Sequence, residues 1–491
     1  MGRDKHVLFV TFFLQAHFRG MYRYAVSLAK RGVKITFVAL AREIALLRNF
    51  EELRTLDFNL VSYHDHGENN FETPSEVPVV DVLEFLATGR LRFQPVLDKL
   101  VARQKAGLAG PTCVFGDRTL IWAKDAAKEL GIPFVQFWTC GAGYMRALQA
   151  QVSLYADGTL KIRRGAGGCP YLEPFEGHVH VAGLPPLEHR DIRKPFQLDF
   201  KNACVRNDIE IGTIVNMADA VIVNSFYEFE APQIDAIRQT WLDRCTTESK
   251  IPKMFLVGPL SAHVSTVVED RSLVDRSSGV DALQWLDRRP PLSVVYICMG
   301  TVVRLTRSKV EELAAALEAS EQSFLWIVSR GVKDLIPLGF EARTRENGLV
   351  VNGWVPQLRI LQHSAIGGLV THCGWNSVLE SIMSGVPMAA WPQMLTDQYY
   401  YCRHIVDVLK VAVEVLQPET LSSAAEKAAV TSLTFPKRYV TLEQAVRILL
   451  SEEGNALRAR AQKLKKRAEA AVADGGASSN AMNDVFEFIP S

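Results

Sequence analysis

The pattern that most restricts this chain is a short apolar run that ends in a loop, followed by an amphipathic stretch and a second apolar run. Residues 6–13 read as a first strand, 14–20 as a loop, 21–31 as a helix with Ala25, Leu28 and Ala29 on one face, and 33–40 as the next strand, with Gly32 stopping the helix. A strand apolar on both faces needs cover on both, and a helix between two such strands is the crossover that makes them parallel. The unit recurs, with strands expected at 111–116, 134–138 and 220–224 and a helix at 120–130, broken by Gly131-Ile132-Pro133.

The alternation then restarts. Residues 261–279 are polar and carry no periodicity, which reads as a linker. Beyond it, strands are expected at 293–298, 324–328, 348–352, 368–371 and 388–391. Met299-Gly300-Thr301 forms a tight loop, and helices fall at 308–320, 357–363 and from about Asn376 to Gly385-Val386-Pro387. Two doubly wound α/β halves follow from this. Near the end, Leu457, Ala461, Leu464, Ala468 and Ala471 repeat at helical spacing among Arg and Lys residues, an amphipathic surface helix.

Composition serves mainly to exclude. Lys and Arg number 55 against 54 Asp and Glu, so no basic excess points to nucleic acid or an anionic membrane surface. The eight cysteines include no pair at CxxC spacing, a poor zinc site and a poor disulfide framework, and they read as thiols in a reducing compartment. No apolar stretch reaches the roughly 20 residues a membrane helix needs. The run from Val7 to Leu14 after Arg3-Asp4-Lys5 is interrupted downstream by Gln15, His17 and Arg19, and reads as a buried strand rather than a signal peptide. A cytoplasmic, monomeric protein is expected.

Chemistry-bearing residues gather at strand ends. In Thr371-His372-Cys373-Gly374-Trp375-Asn376-Ser377-Val378-Leu379-Glu380 a strand ends, Gly374 makes the turn and a helix begins. Its first-turn N–H groups and dipole suit a phosphate, and open α/β sheets bind ligands outside such carboxyl ends. Ser377 and Glu380 also match a capping box, a purely structural use. Trp354 in Trp-Val-Pro-Gln offers a ring for a nucleobase, or for packing. Asp397-Gln398 could bond several sugar hydroxyls, or Asp397 could cap a helix. His17, after the first strand, and Asp117, after the strand ending at Gly116, would open on one sheet edge, as a general base and its carboxylate partner. Asp191 and Asp287 stand alone as solvated loop residues. Walker A, GxGxxG, GxSxG and HExxH patterns are absent, as are acidic metal clusters.

The run WVPQLRILQHSAIGGLVTHCGWNSVLESIMSGVPMAAWP, continuing to Asp397-Gln398, resembles the signature box of the plant-type family-1 UDP-dependent glycosyltransferases throughout. The resemblance extends over GDRTLIWAKDAAKELGIPFVQFWT, ADAVIVNSFYEFE, FLVGP, SVVYICMGT and the terminal LRARAQKLKKRAEAAVADGGASS. It implies the α/β GT-B fold: two Rossmann-like domains facing across a cleft. Residues 1–250 would be the acceptor domain and 251–472 the UDP-sugar domain, with a linker at about 261–280, and the tail 473–491 would return to the first. By matching positions, Trp354 would stack on uracil, with Val355 and Gln357 completing the uridine pocket. Glu380 would bind the ribose, and His372, Asn376, Ser377 and Thr301 the diphosphate. Trp375, Asp397 and Gln398 would contact the sugar, with Thr139 from the other half. His17 would be the base and Asp117 its partner. The final Gln favours UDP-glucose as co-substrate, and no metal is expected. Two departures stand out. Gln393, Met394, Leu395 and Thr396 put four residues between Trp-Pro and Asp-Gln where three are usual, and the His17 segment reads QAHFRGM rather than QGHINPM.

The implied reaction is inverting transfer of glucose from UDP-glucose to a hydroxyl of a small lipophilic acceptor, a flavonoid, other phenolic or terpenoid. Phe12, Phe13, Phe18, Trp138 and Met145 suggest an apolar or aromatic acceptor pocket. Three other readings stay open: C-glycosylation of a phenolic ring carbon, a non-catalytic nucleotide-sugar-binding protein, and an oxidoreductase, which the missing GxGxxG disfavours.

Overall fold

The computed structural model describes residues 5–63, 79–164, 170–173, 175, 177–189, 191–192, 211–243, 251–262, 276–301, 303–329, 331–393, 397–415, 417 and 439–491. The chain divides into two compact units. One comprises Met1–Glu173, Pro195–Ser272 and Ala470–Ser491; the other comprises Pro174–Lys194 and Leu273–Glu469. The first unit is therefore not one continuous stretch of the N-terminal half. Of the linker expected at 261–279, residues 263–275 lie outside the described residues, and the last four begin a helix, Arg276–Leu286.

The first unit is built on strands β1 (His6–Val10), β2 (Lys34–Ala39), β3 (Phe58–Ser62), β4 (Cys113–Asp117), β5 (Phe134–Trp138), β8 (Ala220–Val223) and β9 (Lys253–Leu256), with a small antiparallel hairpin β6 (Ile162–Arg164) and β7 (Pro170–Leu172). Sheet order is β3-β2-β1-β4-β5-β8-β9, all parallel. Burial is complete on both faces of β1, where Val7, Leu8, Phe9 and Val10 are all 0% exposed, as an all-apolar strand in a covered sheet requires. The order reverses between β1 and β4, so the carboxyl ends of these two strands bound the crevice in which such sheets bind ligands.

Helix α1 spans Gln15–Ala29, so the loop expected at 14–20 is instead the first turns of a helix. Gly20 misleads at sequence level because glycine weakens helices. Here it serves packing: a Cβ on Gly20 would sit 3.2 Å from the Thr139 methyl. The carboxyl-terminal helix Ala477–Phe488 also belongs to this unit. Met482, Val485 and Ile489 are buried in the same core as Phe9 and Phe115, Lys5 Nζ donates to the Phe486 carbonyl at 2.9 Å and Thr112 Oγ1 to that of Pro490 at 2.7 Å.

The second unit repeats the plan with β10 (Val294–Cys298), β11 (Ser323–Val328), β12 (Gly348–Asn352), β13 (Ile366–Thr371), β14 (Met388–Ala390), β15 (Ala412–Val415) and β16 (Tyr439–Val440), in the order β12-β11-β10-β13-β14-β15-β16. All neighbours are parallel, and Cys298 pairs with Thr371 at the carboxyl ends of β10 and β13, where this sheet reverses. The helix Gly454–Val472 buries the stripe Leu457, Ala461, Leu464, Ala468 and Ala471. No helix among the described residues is long and apolar enough to cross a membrane. Cys113, Cys140, Cys298, Cys373 and Cys402 are thiols; Cys169, Cys204 and Cys245 lie outside the described residues.

Candidate active site

In the first unit, His17 sits on the first turn of α1 and Asp117 ends β4, at the reversal point of the sheet. His17 Nδ1 lies 2.9 Å from Asp117 Oδ2. The other carboxylate oxygen, Oδ1, accepts from the Thr119 N–H at 2.9 Å and from Thr119 Oγ1 at 2.6 Å. Burial pushes the Asp117 carboxyl up. The His17 charge and hydrogen bond, the Thr119 bond and the Arg118 charge outweigh it and hold the group below the usual carboxylate range. An ionised Asp117 accepts only, so Nδ1 is the nitrogen that donates to it, which makes Nε2 the nitrogen available to an acceptor. The His17 side chain is 12% exposed and Asp117 is closed to solvent. Phe12 packs edge-on against His17 at 5.3 Å between ring centroids, and Phe13 and Phe85 continue that aromatic wall. Phe18 packs instead against Phe37 and Tyr22, and Phe12, Phe13, Phe18, Trp138 and Met145 are all buried. Thr139 follows β5 and is buried.

In the second unit the reversal point is lined by Met299-Gly300-Thr301 after β10 and His372-Cys373-Gly374 after β13. The helix Trp375–Ser384, hereafter α2, starts directly behind it. The turn differs from expectation. Gly374 has φ −65°, ordinary for any residue, and Cys373 takes the left-handed conformation at φ 66°. A non-glycine residue there is strained; the Cys373 N–H is held by Thr371 Oγ1 at 3.1 Å. Gly374 is needed for space instead. A Cβ on it would lie 2.4 Å from His372 Nε2, and one on Gly300 would lie 2.6 Å from the same atom. Two glycines thus leave the imidazole its room. Burial pulls the His372 ring down to about 4, against the Asp397 charge and the Cys298 carbonyl, so at neutral pH it is uncharged.

Glu380 is not part of a capping box. The N-cap of α2 is Gly374, which puts Ser377 inside the first turn and Glu380 beyond it. The Gln357 Nε2 donates to Glu380 Oε2 at 2.7 Å and to Ser377 Oγ at 3.2 Å, while Tyr296 OH donates to Gln357 Oε1 at 3.4 Å. Gln357, Ser377 and Glu380 therefore form one network at the edge of α2, beside the half-buried Trp354 and the buried Val355. Tyr296 is a member that sequence reasoning missed; it lies mid-strand, where a buried aromatic looks like core. Trp375 is 4% exposed and its ring packs on Tyr401, tilted by 32°, with centroids 4.5 Å apart. Its indole is core, which leaves its backbone N–H at the helix start as the part able to meet a ligand. Asn376 is half-buried and Thr301 exposed.

Asp397 occupies the N-cap position of the short helix Gln398–Arg403, but its side chain makes no cap hydrogen bond. Gln398 is 6% exposed, and its Oε1 accepts the Gln393 N–H at 2.9 Å. Of the four residues between Trp391-Pro392 and Asp397-Gln398, Gln393 is described and 394–396 lie outside the described residues. Asp287 is exposed and bonded to His363 at 3.1 Å. Asp191 departs from expectation: its side chain is 1% exposed and faces Arg403, a partner invisible from its own stretch of sequence.

Residues 283–442 match the family described as UDP-glucoronosyl and UDP-glucosyl transferase. The chain is 30% identical over 497 residues to an anthocyanin 3'-O-beta-glucosyltransferase of Gentiana triflora, covering 96% of each chain. It is 28% identical over 510 residues to a scopoletin glucosyltransferase of Nicotiana tabacum, covering 99% of this chain and 98% of the relative. Among solved structures, a UDP-glucosyltransferase from Polygonum tinctorium capable of glucosylating indoxyl superposes with TM-score 0.77 at 24% identity, covering 99% of both chains. Phytolacca americana UGT2, complexed with UDP-2fluoro-glucose and pterostilbene, gives 0.76 at 23% over 99% of both. Two parallel sheets with matching reversal points, a signature-box turn built around His372 and full-length likeness agree: the chain is an enzyme of the plant family-1 UDP-dependent glycosyltransferases, with the GT-B fold.

Proposed function

We propose that this enzyme transfers glucose from UDP-glucose, with inversion, to a hydroxyl of a small phenolic acceptor, and that His17 is the general base. The observation that carries the reading is the 2.9 Å contact between His17 Nδ1 and a buried Asp117. With Nδ1–H donated to Asp117, Nε2 takes the acceptor's proton as the acceptor oxygen forms a bond to the anomeric carbon. The bond from that carbon to the diphosphate oxygen breaks on the opposite face, and UDP leaves as a stable anion. The start of α2, with His372, Asn376, Ser377 and Thr301, stabilises the charge that gathers on it. Trp354 and Val355 hold the uracil, Glu380 the ribose, with Gln357 orienting Glu380. Asp397, Gln398, the Trp375 N–H and Thr139 are assigned to the sugar.

Glucose and phenolics are favoured because the named relatives glucosylate an anthocyanin and scopoletin, and because Phe12 and Phe13 wall His17. Charge neutralisation by the helix start needs no metal, so turnover in excess EDTA should match that in magnesium. The enzyme is proposed to act in the cytoplasm as a monomer, which cell fractionation and light scattering check.

The test is product analysis with UDP-glucose and a phenolic panel that includes scopoletin and an anthocyanidin. A β-glucoside that acid hydrolyses supports the reading; an acid-stable product moves the linkage to carbon, and no product with any phenolic overturns it.

A further inference from the structure

A buried arginine, Arg403, contacts the segment of the N-terminal half that belongs to the second unit. Arg403 is the last residue of the helix Gln398–Arg403, and its side chain is 5% exposed. Its Nη2 donates to the Pro186 carbonyl at 3.1 Å, its Nε lies 3.4 Å from Asp191 Oδ2, and its Nη1 lies 2.9 Å from Asp407 Oδ2 and 3.9 Å from Glu188 Oε1. Asp191 Oδ2 also accepts the Glu188 N–H at 2.8 Å, and Val179 and Leu187 pair antiparallel, so the segment presents its carboxylates from a fixed backbone.

The helix runs on at Arg403 into a π-helical turn, His404–Val408, so the Arg403–Asp407 pair is internal to one short helical segment, while the Asp191 and Glu188 carboxylates reach Arg403 from outside it. Tyr399, Tyr400, Tyr401 and Cys402 are buried along it, and the carboxylates that face Arg403 fix it further. Gln398 begins it, with its amide oxygen already engaged by the Gln393 N–H, and Arg403 follows about 7.5 Å along the axis. Rotating or sliding Arg403 therefore moves Gln398 and the adjoining Asp397 with it.

We propose that Asp191 and Arg403 are positioning residues for the donor sugar: the salt-bridged segment clamps the Gln398 helix at Arg403 and thereby fixes the side chains assigned to the sugar. The proposal rests on that assignment in the preceding section. The assigned uridine contacts, Trp354, Gln357 and Glu380, lie outside the clamped helix; Tyr401 of that helix packs on Trp375 and the Asp397 charge reaches His372, so the clamp acts more on the sugar than on UDP.

The test is Asp191→Asn, which keeps an oxygen for the Glu188 N–H and removes the charge facing Arg403. kcat/KM for UDP-glucose at saturating acceptor should fall about tenfold, as small misplacements of reacting groups do. The preference for UDP-glucose over UDP-galactose should narrow, and the UDP Kd measured by calorimetry should stay within about twofold. Should Asp191→Asn fail to fold, Arg403→Lys, which keeps the charge and loses the planar fork, is expected to show the same split. A folded variant with wild-type kcat/KM and wild-type sugar preference overturns the proposal, as does parallel loss of UDP affinity. Failure of the wild-type enzyme to transfer glucose refutes the underlying sugar assignment instead.

Discussion

Replacing Gly374 by alanine isolates the role of the His372 ring. The backbone there (φ −65°, ψ 138°) suits alanine without strain, so the effect is the added methyl group alone. That Cβ would sit 2.4 Å from His372 Nε2, where ordinary contact begins at 3.4 Å, so the imidazole must retreat by about 1 Å. Gly300 is as close, with its own Cβ position 2.6 Å from the same atom, so the ring has little room beside either glycine. If the ring donates to the diphosphate, that hydrogen bond to a charged group is lost, at about 1.5–3 kcal/mol, and the UDP Kd should rise about tenfold to a hundredfold. Overpacking should also cost stability, about 1–3 kcal/mol. Calorimetric titration of UDP into the wild type, Gly374→Ala, His372→Ala and the double variant closes a cycle. In the His372→Ala background the methyl group meets no ring, so its further effect on UDP binding should be under about 0.5 kcal/mol. Wild-type affinity in Gly374→Ala, or full additivity of the two changes, refutes the reasoning.

Other consequences follow from the same geometry. With His372 held near 4 by burial and its ordinary value at 6.5, the unfolded chain binds a proton that the native ring refuses. The resulting contribution is fully present above pH 6.5 and is lost as pH falls toward 4, up to about 3 kcal/mol. Urea midpoints stepped through that range should fall less steeply for His372→Asn; equal slopes contradict the burial account. Glu380→Ala should weaken UDP binding about tenfold or more, since it removes the carboxylate that Gln357 orients. A lower Tm with unchanged UDP affinity would make Glu380 structural only.

Much of this was legible in the sequence because it is periodic or local. The all-apolar strands and the two rounds of alternation follow from pattern, and the His372–Glu380 stretch is recognisable because its residues are contiguous. What escaped is non-local. The helical state of 15–20 was hidden by Gly20, whose reason is Thr139, on another strand end. The left-handed residue of the signature turn is Cys373 rather than its glycine neighbour, because the glycine makes room for His372. Asp191 looked solvated because its partner Arg403 lies more than two hundred positions away. Tyr296 gave no sign of its bond to Gln357, since a tyrosine among valines reads as packing. His17 and Asp117 could be paired in advance only because parallel strands bring their ends to one edge.

The central claim is that His17 removes the acceptor's proton. The most direct test is kcat for glucose transfer from saturating UDP-glucose by the wild type and by His17→Ala, across phenols of decreasing pKa. The account predicts a loss of about a hundredfold or more on a weakly acidic phenol. That loss should shrink as the phenol becomes acidic enough to ionise by itself, with the UDP Kd unchanged throughout. Wild-type turnover by His17→Ala on the weakly acidic phenol, or a loss independent of phenol acidity, would contradict it.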